Sequence, residues 1–399
     1  GVIDSSGQAP TDLVEQDAQD KPDGGGSGGG NGAAGGQGKF QPFVGPPPSY
    51  GSMYTPKEYG GNGGKGGGAS TSADLQCTPH GSYTGGRGGG VVVLDVAQDL
   101  LLDGEILCNG KSGSGGRAGG GAGGSIFITT GHMTGTGILS VKGGDVTGST
   151  TCLGGGGAGG RIAVHYTNYT YSGTKDAYGG SGHECGGAGT VLFKDLSDNS
   201  NSLLVDNNHV CSPLKPNINF NELSDIGRKE YSFHTWVFDH SDCDHNVGCS
   251  HSFKEITIQG KAHLAVHRRN IDKHTQYITI YKTSGDKTGT FHVGPHQELT
   301  ADLPEDSPEL QYGLIIYPDG QMQTARNFVV NNITVELEGI LTGVENLRIG
   351  PGGHVIIKPY GNASTGVTKE ITFTEVIVEG GGILEIDSGG DAMTIVKDK

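Results

Sequence analysis

The sequence is poor in the residues that build helices and in the patterns that mark common enzymes. Lysine, leucine and alanine are scarce, aromatic residues make up 7% and tryptophan occurs once. Few segments hold an amphipathic period, so an all-β protein with loops is expected. None of the seven cysteines forms a CxxC pair, which argues against thioredoxin-like and zinc-ribbon chemistry. No apolar run approaches the roughly 18 residues of a membrane span. Positive charge is also short: 27 Lys and Arg stand against 43 Asp and Glu, a formal net charge of −16. Such a chain repels phosphate backbones, so no nucleic acid is expected as a partner. Calcium, cationic surfaces and neutral sugars remain. The chain opens at Gly1 without a signal peptide and is expected to be a mature or processed piece of something longer.

Glycine is what the chain has in excess, at 76 of 399 residues; average usage would give roughly 28. The glycines recur in blocks that precede apolar runs: GGRGGGVVVLDV at 85–96, GAGGSIFITT at 121–130, GAGGRIAVHY at 157–166 and GGAGTVLFKD at 186–195. The residue after each block is Val91, Ser125, Arg161 and Thr190, so the motif returns about every 30–36 residues, the range of repeat arrays. A second element interleaves with it. GVIDSSG at 1–7, GEILCNG at 104–110 and GILSVKG at 137–143 each carry glycine at both ends and a short apolar centre. Strand, turn, strand and Gly-rich loop in rotation predict an all-β, right-handed parallel β-helix (a solenoid) with long Gly-rich loops. The period of two turns Ile126, Ile128, Ile162 and Val164 inward, and Phe127 and Ala163 outward. An outward Phe127 needs cover.

The same repetition removes the nucleotide reading. A dinucleotide fingerprint occurs once, between a strand and a helix; here glycines precede strands. ILCNGKS at 106–112 resembles the end of a phosphate-binding loop, but Glu105 occupies the position of its first glycine. Glycine blocks beside every coil instead suit extended polyglycine segments bonded chain to chain.

Residues 1–210 are expected to form Gly-rich coils with a long excursion at 8–84. Phe40, Phe43, Tyr50, Tyr54 and Tyr59 in that excursion supply rings to cover a sheet face. Residues 211–399 read as the same β-helix with shorter turns, a β-sandwich-like insertion at 230–326 being the alternative. GGGGAGGRIAVHY, GGAGTVLFKD followed by SLLVDNN, and YGSMYTPKEYG resemble the Gly-rich β-helix segments of very large secreted proteins of animals and protists. The resemblance covers most of 1–210 and, more loosely, 230–399. It implies extracellular structural or adhesive material and brings no catalytic residue set.

Candidate sites follow from residue type. N-x-S/T sequons stand at Asn168, Asn332 and Asn362; with scattered cysteines and acidic charge they favour a secreted, disulfide-bonded glycoprotein. Cys152 and Cys185 precede glycine blocks in successive coils and are expected to pair, as are Cys243 with Cys249 and, more weakly, Cys77 with Cys108. Cys211 is left over. In DHSDCDHNVGCSH at 239–251, Asp242, Asp244 and Asn246 alternate as calcium ligands do, and His240, His245 and His251 offer a histidine alternative. Val247 and Phe253 stand where an EF-hand needs glycine and glutamate, so an exposed disulfide loop is the favoured reading and no cofactor is expected beyond calcium. Asp95, Asp103, Asp145, Asp195, Glu370 and Glu375 share no spacing that would make a polysaccharide lyase or hydrolase. Arg268 and Arg269, adjacent on a strand, face opposite ways, and His165 follows the strand alternation. The expected function is therefore non-enzymatic: an extracellular structural glycoprotein, a segment of a fibre, matrix or adhesive assembly that partners itself or neighbouring domains. A carbohydrate-binding or carbohydrate-cleaving β-helix and a calcium-dependent adhesin are the alternatives.

Overall fold

A computed structural model describes residues 1–11, 27–38, 49–66, 83–147, 153–210, 234–236, 249–266, 276–295, 297–305, 308–324, 326–358, 371 and 373–387. The described chain is nearly all-β, and its sheets are built mainly from parallel strands. It divides into two compact units, one of residues 1–242 with 260–263 and one of 243–259 with 264–399.

In the first unit the two interleaved sequence motifs become two sheets. The glycine-flanked motifs give a four-stranded parallel sheet of Val2–Asp4, Glu105–Leu107, Ile138–Ser140 and Thr174–Asp176. The runs after the glycine blocks give long parallel strands, Val91–Leu101, Ser125–Thr134, Arg161–Tyr169 and Thr190–Asp195. Ser200–Asp206 folds back on the last of these as an antiparallel partner. The register is the sequence repeat itself: Val91, Ser125, Arg161 and Thr190 are aligned partners across the sheet.

Alternation then sorts the side chains. Ile126, Ile128, Ile162, Val164 and Val191 are buried in one cluster with Ile106 and Leu139 of the other sheet. This is the unit's main apolar core, and each such aliphatic side chain contributes about 1.5–3 kcal/mol on burial. The opposite face carries Phe127 and Ala163, and Ala163 is fully buried. Its cover comes from the excursion. The Arg161 Nε donates to the Tyr50 carbonyl at 3.0 Å and the Ser125 hydroxyl to the Glu58 carbonyl at 2.6 Å. The Lys57 ammonium stands 6.0 Å over the Phe127 ring. Residues 50–58 thus lie against the outer face of the sheet, and residues 60–64 continue into the glycine segments. Phe40 and Phe43 are outside the described residues.

In the second unit the chain visits three parallel sheets in rotation. Gly313–Ile316, Gln321–Thr324 and Asn327–Val330 fall in three different sheets. Thr334–Leu337, Ile340–Thr342 and Asn346–Ile349 then return to the same three in the same order. His354–Ile357, Glu375–Val378 and Ile383–Ile386 extend two of them. Alternate residues Leu314, Ile316, Val335, Leu337, Val355 and Ile357 are buried, the signature of strands with one face on a core. All named pairings within 249–342 in this unit are parallel.

Candidate functional site

The glycine blocks form a third layer of the first unit, and their hydrogen bonds define it. Along residues 119–124 the donors change target at every residue and return to it every third. Gly119 and Ala122 donate to Gly64 and Gly61, Gly120 and Gly123 to Gly155 and Ala158, and Gly121 and Gly124 to Lys111 and Cys108, all at 2.7–3.0 Å. Carbonyls of the same stretch accept from Gly86, Gly89, Gly29 and Gly144. The next block repeats the period: Gly156 and Gly159 donate to Glu184 and Gly187, Gly157 and Gly160 to Gly144 and Val141. A three-residue period with every bond going to another segment is the period of a polyproline-II strand, and here such bonds run in several directions at once. A single segment, 119–124, is bonded to stretches near 29, 61–64, 86–89, 108–111, 144 and 155–158.

This packing explains the composition. None of Gly119–Gly121, Gly123 or Gly154–Gly157 has a left-handed φ, so these residues are glycine for space. A Cβ on Gly156 would overlap the Gly180 carbonyl, and one on Gly123 the Val141 carbonyl. Alanine is admitted where three segments leave room, and Ala33, Ala122 and Ala158 fill that space as a small buried cluster. Asn31, fully buried, caps it by donating Nδ2 to the carbonyls of Gly123 and Gly124.

A second feature lies at a corner of the second unit. An open cavity of about 380 Å³ is lined by Lys287, Glu309, Val329, Asn331, Asn332, Arg348, Pro351 and Glu379. Its cations are paired: Lys287 with Glu309 and Arg348 with Glu379. The Lys287 ammonium also donates to the Asn331 carbonyl at 3.2 Å.

The residues singled out by sequence fall as follows. Cys108 is a free thiol in the apolar core, which corrects the expected Cys77–Cys108 bridge. Its strand, Glu105–Leu107, delivers it inward among Ile106 and Leu139, and burial pushes its thiol up to about 12. Cys185 is disulfide-bonded; Cys152, Cys77, Cys211 and Cys243 lie outside the described residues, as does the side chain of Cys249. Asn168 is exposed on the strand Arg161–Tyr169 and Asn332 is exposed at the cavity, while Asn362 is outside the described residues. So are Asp242, Asp244, Asn246, His240, His245, Arg268, Arg269 and Glu370. His251 is buried, and burial lowers its pKa to about 4. His165 packs edge-on against Phe127 with ring centroids 5.0 Å apart, beneath the excursion.

Asp103 and Asp145 tie turns together. Asp103 accepts from the Thr136 amide and Asp145 from the Ser181 amide and hydroxyl. Asp195 accepts from the Ser197 amide. Among the described residues, no three His, Cys, Asp or Glu side chains gather as a metal site, and no helix is long and apolar enough to cross a membrane. The corner cavity was not legible in advance, because Lys287 and Arg348 are far apart in sequence and meet only through the strand register. Comparison with protein-family models, curated proteins and solved structures finds no match for the chain.

Proposed function

We propose that this chain is an extracellular structural glycoprotein, its coils wound as a right-handed parallel β-helix that forms a stiff segment of a fibre, matrix or adhesive assembly. The observation that carries the reading is the glycine layer. Its hydrogen bonds run in several directions around each segment, so it resists bending along more than one axis, whereas a sheet resists mainly along its ladder. Side chains are nearly absent from it. A material built this way supplies rigidity.

The sheet ends support assembly. Among the described strands, Val2–Asp4 and Val91–Leu101 stand at the ends of their sheets with Val2, Ile3, Val93 and Leu101 exposed. Ile383–Ile386 ends another, with Ile383 and Ile386 exposed. Edges of this kind are templates for a further strand. The test is electron microscopy of the native, unreduced protein. Regular fibres or ordered arrays are the expected result; discrete monomers at all concentrations overturn the structural reading.

A further inference from the structure

The corner cavity of the second unit contains a sequon, and the two together point to a modification site with a seat for what is attached. Asn332 precedes Ile333 and Thr334. It occupies the bend between the strands Asn327–Val330 and Thr334–Leu337, with φ +54. Its backbone is held, since its amide donates to the Pro351 carbonyl at 3.1 Å. Its carboxamide makes no hydrogen bond among the described residues. Ile333 is buried while Asn332 and Thr334 are exposed, so the acceptor amide and the sequon hydroxyl face outward on a fixed corner.

The corner stacked next to it is Gly350, Pro351, Gly352 and Gly353, which carries a single side chain. A Cβ on Gly352 would overlap the Asn332 carboxamide oxygen, and one on Gly350 that of Asn331. The two carboxamides thus occupy the space that side chains at 350 and 352 would take, and both asparagines line the cavity. The lining that remains is balanced. Both cations are neutralised by carboxylates, so the site does not select an anion or a cation. It offers donors from Lys287 and Arg348, acceptors from Glu309 and Glu379, and apolar surface from Val329 and Pro351. Several fixed donors and acceptors around a partly apolar wall suit a neutral polyhydroxylated ring, and the volume lies within the range of small-ligand sites.

We propose that Asn332 carries an N-linked glycan and that the cavity beside it seats the first sugar. The inference rests on the secreted-glycoprotein reading above. In the transfer, the Asn332 Nδ2–sugar C1 bond forms, and the C1–O bond to a lipid-linked pyrophosphate breaks. The pyrophosphate leaves with the electron pair, and one amide proton is lost. The seat crosslinks three coils through the sugar and shields the linkage.

The test is native deglycosylation of the full chain secreted from a glycosylating eukaryotic host. A peptide-N-glycosidase is used, and release at each sequon is followed by peptide mass spectrometry. Asn168, exposed on a strand of the first unit and not among the residues that line this cavity, is the internal comparison. The expected result is that Asn168 is cleared at least ten-fold faster than Asn332 in the folded protein, and at an equal rate after denaturation. The double variant R348A/E379A, which removes one wall, brings the Asn332 rate to that of Asn168. Equal native rates in the unmodified chain, or a glycan at Asn168 with none at Asn332, overturn the seat while leaving the glycoprotein reading standing. No glycan at any sequon overturns both.

Discussion

A glycine in the layer is required by its neighbours' carbonyls, and that makes single substitutions informative. Ordering glycine loses more backbone entropy than ordering any other residue, so the layer holds only because nearly every amide finds a partner, each bond contributing about 1 kcal/mol net. Gly156→Ala forces the Gly180 backbone aside and breaks bonds on two sides. We expect a loss of about 3 kcal/mol or more, within the range of severe overpacking, read by thermal or denaturant unfolding. Gly380→Ala meets nothing within 4 Å and stays within about 0.5 kcal/mol. A similar small effect for both would mean the layer is not packed as described. Cys108 gives a second residue-level expectation. With its thiol buried and its pKa pushed up to about 12, it does not react with a thiol reagent at neutral pH in the folded chain. It reacts fully in denaturant, and rapid labelling in the native state would contradict its placement.

At the scale of elements, Arg161 is one of the side chains that tie the excursion to the long-stranded sheet. Arg161 is buried, and it donates Nε to the Tyr50 carbonyl and Nη1 to the Thr190 hydroxyl. Arg161→Met keeps much of the volume and removes the donors. The Tyr50 carbonyl then loses its guanidinium partner, at a cost of about 1–3 kcal/mol, and the cover over Phe127 and Ala163 loosens. Limited proteolysis should cut within residues 49–66 several-fold faster, with the core of the unit intact; an unchanged cleavage rate would show the cover is held elsewhere.

Much at this scale was legible. The glycine blocks predicted which residues align, and Ile126, Ile128, Ile162 and Val164 face inward as the alternation requires. Rings in the excursion signalled that a face needed cover, and the contacts that reach the sheet are those of Lys57 and of the Tyr50 and Glu58 carbonyls with Arg161 and Ser125. The strand Thr174–Asp176 is a fourth member of the glycine-flanked motif that the apolar pattern does not show. Its centre is Lys175, whose ammonium lies over the Tyr171 and Phe193 rings at 5.5 and 5.9 Å. An aliphatic stem with a charged end can occupy an apolar register position, and a hydrophobicity pattern does not see it. Cys108 departs from the expected bridge for a related reason. Scattered cysteines in an acidic chain suggest bridges, but this one behaves as a small buried hydrophobe.

At the scale of the molecule, the second unit should weaken in mild acid through His251. That residue lies in the strand Cys249–Phe253, paired with Ile278, and burial lowers its pKa from 6.5 to about 4. Unfolding returns it to the ordinary value. The folded form therefore binds its proton less readily, so stability is full above pH 6.5 and falls as the pH drops from there toward 4. The loss is at most about 3 kcal/mol, one pKa unit being worth about 1.4 kcal/mol. H251L removes the titration at some cost in packing that does not vary with pH. Denaturant unfolding of both forms at steps between pH 7 and 4.5 should show wild-type stability declining against the variant, with the gap closing toward the acid end. Exposed carboxylates act on both chains equally and cancel in the difference. A constant gap across the range would mean that His251 is solvated or proton-paired in the folded chain, and that the buried parallel core does not extend as far as its first described strand.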